Sequence, residues 1–213
     1  MQLLDAAQIE KAQRQLSRRC PQMRALIRAH GRCTLKPKSR ELFHVMATAI
    51  IGQQLSVKAA DTIQQRVHVA SGAKSRLRPA HILGLDHQQL RSAGLSNAKA
   101  KWLLELARRS DCGEFNFAQL RRMSDEDAIN ALDALPGVGR WTAEMFLIFA
   151  LGRPDIFSLG DVGLRNNINR LYNNGEKLDD EATLAITERW RPYRSVASWY
   201  LWKLTDVDIK GWS

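Results

Sequence analysis

The chain has 213 residues, 45% of them hydrophobic and 25% charged, which is the usual balance of a globular protein. No apolar run approaches the roughly 20 residues of a membrane span, and the N-terminus lacks the apolar core and cleavage site of a secretory signal, so we expect a soluble intracellular protein that folds as one unit. The 32 Lys and Arg outnumber 22 Asp and Glu, and the net charge of +10 favours an anionic partner such as nucleic acid, although solvated surface lysines would give the same sum.

Helical periodicity runs through nearly the whole chain. Apolar residues at three- and four-residue spacing predict a helix over 40–51, with Ser39 and Glu41 in its first turn. Three later serines are typical N-cap residues: Ser56, Ser96 and Ser124. Further helices are predicted over 142–151, 163–172, 180–190 and 194–204. Because no segment shows a sustained period-two pattern of β-branched residues, we expect at most a minor sheet, and the polar stretch 71–80 is predicted to be an exposed loop.

The cysteines and histidines form no metal motif. Cys20, Cys33 and Cys112 are too few and too widely spaced for a disulfide framework, a zinc site or a four-cysteine iron–sulfur cluster. The five histidines include no HExxH pair. We therefore expect ordinary thiols, no iron–sulfur cluster and no required cofactor.

The segment LPGVGRWTAEMF, residues 135–146, is the most informative stretch of the chain. Its proline ends one helix, while Gly137 and Gly139 permit positive φ and leave the backbone bare before the next helix begins. The N–H groups at that second N-terminus, with the positive end of the helix dipole behind them, favour a phosphate group. The residues predicted to bind this phosphate are Gly137, Gly139, Arg140 and Thr142. A simple corner between two helices is the alternative.

This hydrophobic-Pro-Gly-hydrophobic-Gly string resembles that of the helix-hairpin-helix DNA glycosylases, and its GRWTA ending resembles the 3-methyladenine DNA glycosylase II branch. Other segments resemble the same family in the same order: AIIGQQLSVKAA (49–60), GLSNAKAKWL (94–103), DIFSLGDVGLRNN (155–167) and RWRPYRSVASWYLW (189–202). The resemblance covers roughly residues 40–204. It implies that 1–213 is a single all-α glycosylase unit of two helical lobes with the active-site cleft between them. Lobe A would comprise about 1–38 plus 152–213, and lobe B about 39–151 with the helix-hairpin-helix at 125–151.

The resemblance also implies a catalytic role for Asp161. A carboxylate near the anomeric carbon stabilises the positive charge that builds on the sugar as the N-glycosidic bond breaks, and it orients the incoming water. From the residues alone, Asp161 also fits the N-cap of a helix beginning at Val162 or Gly163, and the two roles are compatible. Strand-cutting members of the superfamily carry a nucleophilic lysine at the position of Trp141. Because an indole cannot form a Schiff base, the resemblance implies a monofunctional glycosylase that leaves an abasic site.

The base pocket implied by the resemblance comprises Trp141, Met145 and Trp202. Aromatic faces attract cations, which suits N-alkylated purines such as 3-methyladenine and 7-methylguanine. Core filling is the alternative for Trp141. Some family members have tyrosines where this chain has Met145 and Val162. Which base is preferred among 3-methyladenine, 7-methylguanine, ethenoadenine and hypoxanthine therefore stays open.

Two further sites follow only from the resemblance. Gln53, Gln54 and Leu55 match the turn that wedges a side chain into the gap left by the flipped nucleotide, although glutamines are also common at ordinary helix ends. A structural Na⁺ or K⁺ would lie on the main-chain carbonyls of Asp133, Leu135 and Val138.

The implied partner is double-stranded DNA containing alkylated bases, bound by a monomer in a bacterial cytoplasm, at the nucleoid, or in a eukaryotic nucleus. An adenine or oxidised-guanine glycosylase of the same fold is disfavoured because the chain lacks the cysteines of an iron–sulfur cluster and has Trp141 in place of the nucleophilic lysine. The alternative from a different class is a damage-binding protein of the same fold with weak or no catalysis.

Overall fold

A computed structural model of the protein describes residues 3–35 and 41–205. In these two ranges the regular structure is entirely helical and contains no strand, which confirms the all-α prediction. The helices are α1 (Ala6–Arg19), α2 (Pro21–His30), α3 (Leu42–Gly52), α4 (Val57–Ser71), α5 (Pro79–Leu83), α6 (His87–Ser92), α7 (Asn97–Asp111), a 3₁₀ turn (Gln119–Arg122), α8 (Asp125–Asp133), α9 (Arg140–Phe149), α10 (Val162–Tyr172), α11 (Asp180–Glu188) and α12 (Arg194–Trp202). Among them, no helix is both long and apolar enough to cross a membrane.

The predicted serine caps are confirmed. Ser56, Ser96 and Ser124 each accept the backbone N–H three residues further on, at 3.1–3.4 Å, and so begin α4, α7 and α8. The start of α3 differs from the prediction: the helix begins at Leu42, and Glu41 makes no side-chain capping bond. The predicted cap Ser39 lies outside the described residues.

Several helix ends differ from the sequence pattern by about two residues. α9 begins and ends two residues before its predicted bounds, while α11 and α12 stop two residues early. The short helices α5 and α6 are absent from the prediction, and α5 begins inside the predicted loop 71–80. Five or six residues are too few to display helical periodicity, which explains the omission.

The described residues divide into two compact units. Unit 1 falls within Met1–Pro37 and Leu147–Ile209, and unit 2 falls within Lys38–Phe146. The sequence places the corresponding lobe boundaries at 38/39 and 151/152, and these boundaries and the intervening cleft stay predictions.

Unit 1 is built around α12, which packs on α1, α2 and α10. All residues of α12 from Ser195 to Trp202 are buried, and burying each large apolar side chain contributes roughly 1.5–3 kcal/mol. The Tyr200 hydroxyl donates to the carbonyl of Gly31 at 2.7 Å and accepts from the Gln13 amide at 2.8 Å. These bonds fasten the N-terminal helices to α12.

Unit 2 is built around α3 and α7. α7 packs on α3, α5 and α6, and α4 packs on α3. Their shared core includes Ile51 of α3, Val67 of α4, Ile82 of α5 and Leu103 of α7, each fully buried.

Candidate active site and nucleic-acid interface

Asp161 is the N-cap residue of α10, as the residue pattern predicts. Its Oδ1 accepts the backbone N–H of Leu164 at 2.8 Å and the indole Nε1–H of Trp202 at 3.3 Å. Only 9% of the residue is exposed. Two donors on one oxygen stabilise a negative charge and fix the direction of the carboxylate. The carboxylate is therefore oriented before any substrate binds.

Trp202 lies at the C-terminal end of α12 and is 2% exposed. Its ring stacks on Phe149, with ring centroids 5.5 Å apart and an interplanar angle of 30°. Trp202 thus combines a hydrogen bond to Asp161 with a stacking contact inside unit 1. Its role as a wall for the extruded base stays a prediction.

Asn167 is a site residue that the sequence analysis missed. Its side chain is 2% exposed and its Nδ2 donates to the carbonyl of Leu201 at 2.9 Å. This bond joins α10 to α12 at the residue before Trp202. Asp161 caps α10 and Trp202 is the last residue of α12. The Asn167 hydrogen bond therefore helps to fix the positions of Asp161 and Trp202 relative to each other.

α9 carries two predicted pocket residues on one face. Trp141 and Met145 are four residues apart, and Phe149 follows after another four. Trp141 is 42% exposed, which does not fit the core-filling alternative, whereas Met145 is 2% exposed. Phe149 was not predicted, although its spacing from Trp141 and Met145 was a usable signal.

The hairpin between α8 and α9 has the two glycines in different conformations. Gly137 has φ +80°, and a Cβ added there would lie 2.3 Å from the Trp102 ring. Gly137 is therefore required by packing as well as by backbone conformation. Gly139 does not use the positive φ that a glycine permits, and its Cβ position meets nothing within 4 Å. The backbone at Gly139 is the part that a phosphate could approach.

The Arg140 side chain pairs with carboxylates, in contrast to its predicted phosphate contact. Its NH1 and NH2 nitrogens donate to the two oxygens of Glu126 at 2.6 and 2.9 Å, and Nε donates to Glu144 at 3.1 Å. The hydrogen bond from Arg140 lowers the pKa of Glu126, and Glu126 in turn raises the pKa of Arg140. Phosphate binding at the hairpin stays a prediction, and the donors that the helix N-terminus offers for it are backbone N–H groups at the start of α9.

The Thr142 side chain also faces inward. The residue is 5% exposed, and its Oγ1 lies 3.4 Å from Nε2 of Gln53. A phosphate contact from Thr142 would have to use its backbone N–H.

The predicted wedge turn contains one side chain that is tied to the hairpin. Gln53 Nε2 donates to the carbonyl of Gly137 at 2.8 Å, which gives this side chain a structural role. Gln54 has φ +57°, a strained value for a residue with a side chain, and Leu55 is 38% exposed. The wedge role of Gln54 and Leu55 stays a prediction.

The carbonyls predicted to hold Na⁺ or K⁺ lie in the same hairpin. The Leu135 carbonyl accepts the Val138 N–H at 3.0 Å and keeps a second lone pair, and the cation site stays a prediction. Within the described ranges, no cluster of three His, Cys, Asp or Glu could hold a metal ion. Cys20, Cys33 and Cys112 are free thiols, as predicted.

Residues 47–192 match the HhH-GPD superfamily of base excision DNA repair proteins. The chain belongs to this superfamily. It is 36% identical over 167 residues to the putative DNA-3-methyladenine glycosylase YfjP of Bacillus subtilis (strain 168), covering 76% of this chain and 58% of YfjP. The crystal structure of DNA-3-methyladenine glycosidase from Bacillus halodurans matches with a TM-score of 0.80 and 33% identity, covering 97% of this chain and 94% of that chain. Schizosaccharomyces pombe Mag1, solved with abasic DNA, matches with a TM-score of 0.78 and 31% identity, covering 91% and 95%.

These matches confirm the resemblance drawn from the hairpin and the segments around it. The HhH-GPD match includes the wedge turn, the hairpin and Asp161, and it stops ten residues before Trp202. The chain spans 58% of the length of YfjP. An activity of the whole YfjP protein is therefore only a proposal for this chain.

Proposed function

We propose that this protein is a monofunctional DNA glycosylase of base excision repair. It flips an alkylated purine out of duplex DNA, hydrolyses the N-glycosidic bond and leaves an abasic site. The observation that carries this proposal is the carboxylate of Asp161, which is nearly buried and held by the Leu164 N–H and the Trp202 indole. The names of two relatives support it, because one is called a putative DNA-3-methyladenine glycosylase and the other a DNA-3-methyladenine glycosidase.

The role of Asp161 follows from charge. Breaking the N-glycosidic bond builds positive charge on the sugar, and a fixed carboxylate stabilises that charge without reorganising. Removing such a preoriented group costs on the order of 3–4 kcal/mol in enzymes. Alkylation at N3 or N7 gives the base a positive charge, so it leaves as a neutral molecule and needs less assistance from an acid.

The absence of strand cleavage follows from Trp141. An indole has no basic amine with which to attack the sugar, so hydrolysis by water is the remaining route. Trp141 is exposed on α9 and presents an aromatic surface where a lysine would give a lyase.

The substrates are alkylated purines in double-stranded DNA, with 3-methyladenine and 7-methylguanine preferred over ethenoadenine and hypoxanthine. The residues that the resemblance assigns to the base are Trp141, Met145 and Trp202, and a cation gains about 2 kcal/mol from a desolvated aromatic face. The backbone N–H groups at the start of α9 hold a phosphate, and the net charge of +10 supports DNA binding. A bound Na⁺ or K⁺ on the hairpin carbonyls would reduce the negative charge of that phosphate.

The protein acts as a monomer where DNA is found, at a bacterial nucleoid or in a nucleus. The second candidate function, damage binding without catalysis, would need no carboxylate oriented by two donors. The geometry of Asp161 therefore favours the enzyme.

A panel of duplexes tests the proposal. Each duplex carries one lesion, the enzyme is in excess, and abasic sites are scored after alkali. Excision of 7-methylguanine and 3-methyladenine is expected, with slower release of hypoxanthine. Tight binding to these duplexes without any abasic site would establish the damage-binding alternative.

A further inference from the structure

Lys99 makes an unusual pair of contacts at the end of α3. Its ammonium donates to the main-chain carbonyl of Ile51 at 2.9 Å and to that of Gln53 at 2.6 Å. Both carbonyls belong to the last turn of α3 and the residue after it. A cation there offsets the partial negative charge at a helix C-terminus and bonds to carbonyls that the helix leaves unpaired.

The turn that Lys99 holds is the predicted wedge turn. Gln53 is bound at its carbonyl by Lys99 and at its side-chain amide to the carbonyl of Gly137 in the hairpin. The next residue, Gln54, has φ +57°. A strained residue of this kind keeps its conformation only when its neighbours fix it. Lys99 and Gln53 thus connect α7, the wedge turn and the hairpin inside unit 2.

Burial of Lys99 has an energetic consequence. Desolvation lowers the pKa of the Lys99 ammonium. A lysine at this position without hydrogen-bond acceptors would extend its ammonium group into water, as lysine side chains usually do. The two charged hydrogen bonds to one short turn offset part of the cost of partial burial.

We propose that Lys99 is a positioning residue for base flipping, which holds the Gln53–Leu55 turn in the conformation that fills the gap in DNA. This inference rests on the proposed function. Lys99 touches neither the reacting bond nor the base, so it acts through the turn alone. Neutralising it should impair flipping while leaving general affinity for DNA almost unchanged.

The test compares Lys99→Met with Lys101→Met, which removes the same charge from an exposed position two residues further along α7. The first readout is single-turnover excision of 7-methylguanine. The second is the fluorescence of 2-aminopurine placed beside a 2′-fluoro-7-methylguanine nucleotide, whose fluorine prevents excision. The third is affinity for an undamaged duplex, with the melting temperature of each variant measured alongside.

Lys99→Met is expected to excise about 10- to 100-fold more slowly than wild type and to lose most of the 2-aminopurine signal. Lys101→Met should stay within about threefold in both assays, and both variants should bind undamaged DNA equally. Lys99→Arg, which keeps charge and donors, should restore most of the fluorescence. A purely structural role would not give this selective loss and rescue.

The results separate this inference from the proposed function. If wild-type protein releases no lesion, the proposed glycosylase function is refuted. The 2-aminopurine fluorescence would still measure whether the Gln53–Leu55 turn flips the base. Active wild type with a Lys99→Met variant equal to Lys101→Met in rate and fluorescence would overturn the inference alone. A Lys99→Met protein that is unfolded at every temperature would overturn it too, because Lys99 would then be needed for folding rather than for flipping.

Discussion

The indole Nε1–H of Trp202 donates to Oδ1 of Asp161 at 3.3 Å, and the Leu164 N–H donates to the same oxygen at 2.8 Å. One donor comes from the helix that Asp161 caps and the other from a neighbouring helix. The carboxylate is therefore fixed relative to two elements, α10 and α12. Trp202 therefore orients the Asp161 carboxylate, and this role does not depend on the identity of the base.

Trp202→Phe separates the hydrogen bond from the aromatic surface. The variant keeps a ring that can stack on Phe149 and removes the donor to Asp161. We expect single-turnover rates to fall by roughly 5- to 30-fold, equivalent to about 1–2 kcal/mol, on 7-methylguanine and hypoxanthine alike. Trp202→Ala should additionally lose discrimination in favour of the cationic base. If Trp202→Phe slows only the cationic lesion, the residue acts on the base and not through Asp161.

The two hairpin glycines should respond differently to alanine. Gly137→Ala places a Cβ 2.3 Å from the Trp102 ring at φ +80°, so we expect the free energy of unfolding to fall by about 2–4 kcal/mol in urea titrations. Combining it with Trp102→Ala should remove the steric part of that cost. Gly139→Ala meets open space and should cost less than about 1 kcal/mol, yet weaken DNA binding several-fold by covering the backbone. Equal stability losses at both positions would refute this assignment.

Much of the fold could be predicted because its signals are local. Serine caps, the Pro-Gly hairpin and the aspartate before α10 each depend on a few adjacent residues. Helix ends were less accurate because fraying and short-range bonds shift them by one or two residues. α5 and α6 were missed because they are shorter than two helical turns.

The contacts that organise the site could not be predicted, because they join residues far apart in sequence. The Gln53 amide donates to the carbonyl of Gly137, 84 residues away, and the Trp202 indole donates to the carboxylate of Asp161, 41 residues away. Arg140 was predicted to bind phosphate from its place beside the glycines. Its partner Glu126 lies fourteen residues earlier, on α8, and only the antiparallel return of the hairpin brings the two together.

The Arg140 pairing predicts an unexpected gain of function. Glu126→Gln removes one of the carboxylates that hold Arg140, so the guanidinium becomes available to a DNA phosphate. We expect tighter binding and a log–log salt slope steeper by about one, from a wild-type value that reflects roughly three to six phosphate contacts. Glu188→Gln, which removes a carboxylate paired with Arg191 in unit 1, is the matched control. Identical slopes for wild type and Glu126→Gln would show that Arg140 does not reach DNA.

The products of the reaction test the role of Trp141. We expect intact strands with abasic sites, and no covalent enzyme–DNA adduct after borohydride treatment, because no lysine occupies this position. Trp141→Lys introduces the amine and provides the positive comparison. A trapped adduct with wild-type protein would show that another amine acts as the nucleophile.

Asp161→Asn tests the central claim most directly. The amide keeps the shape and a capping oxygen for the Leu164 N–H, but it removes the negative charge that stabilises the sugar cation. We expect single-turnover excision of 7-methylguanine to fall by about two to four decades, or on the order of 3–5 kcal/mol, with little change in melting temperature and equal or slightly tighter binding to damaged DNA. A folded Asp161→Asn protein that excises within a few-fold of the wild-type rate would contradict the account and leave Asp161 as a helix cap only.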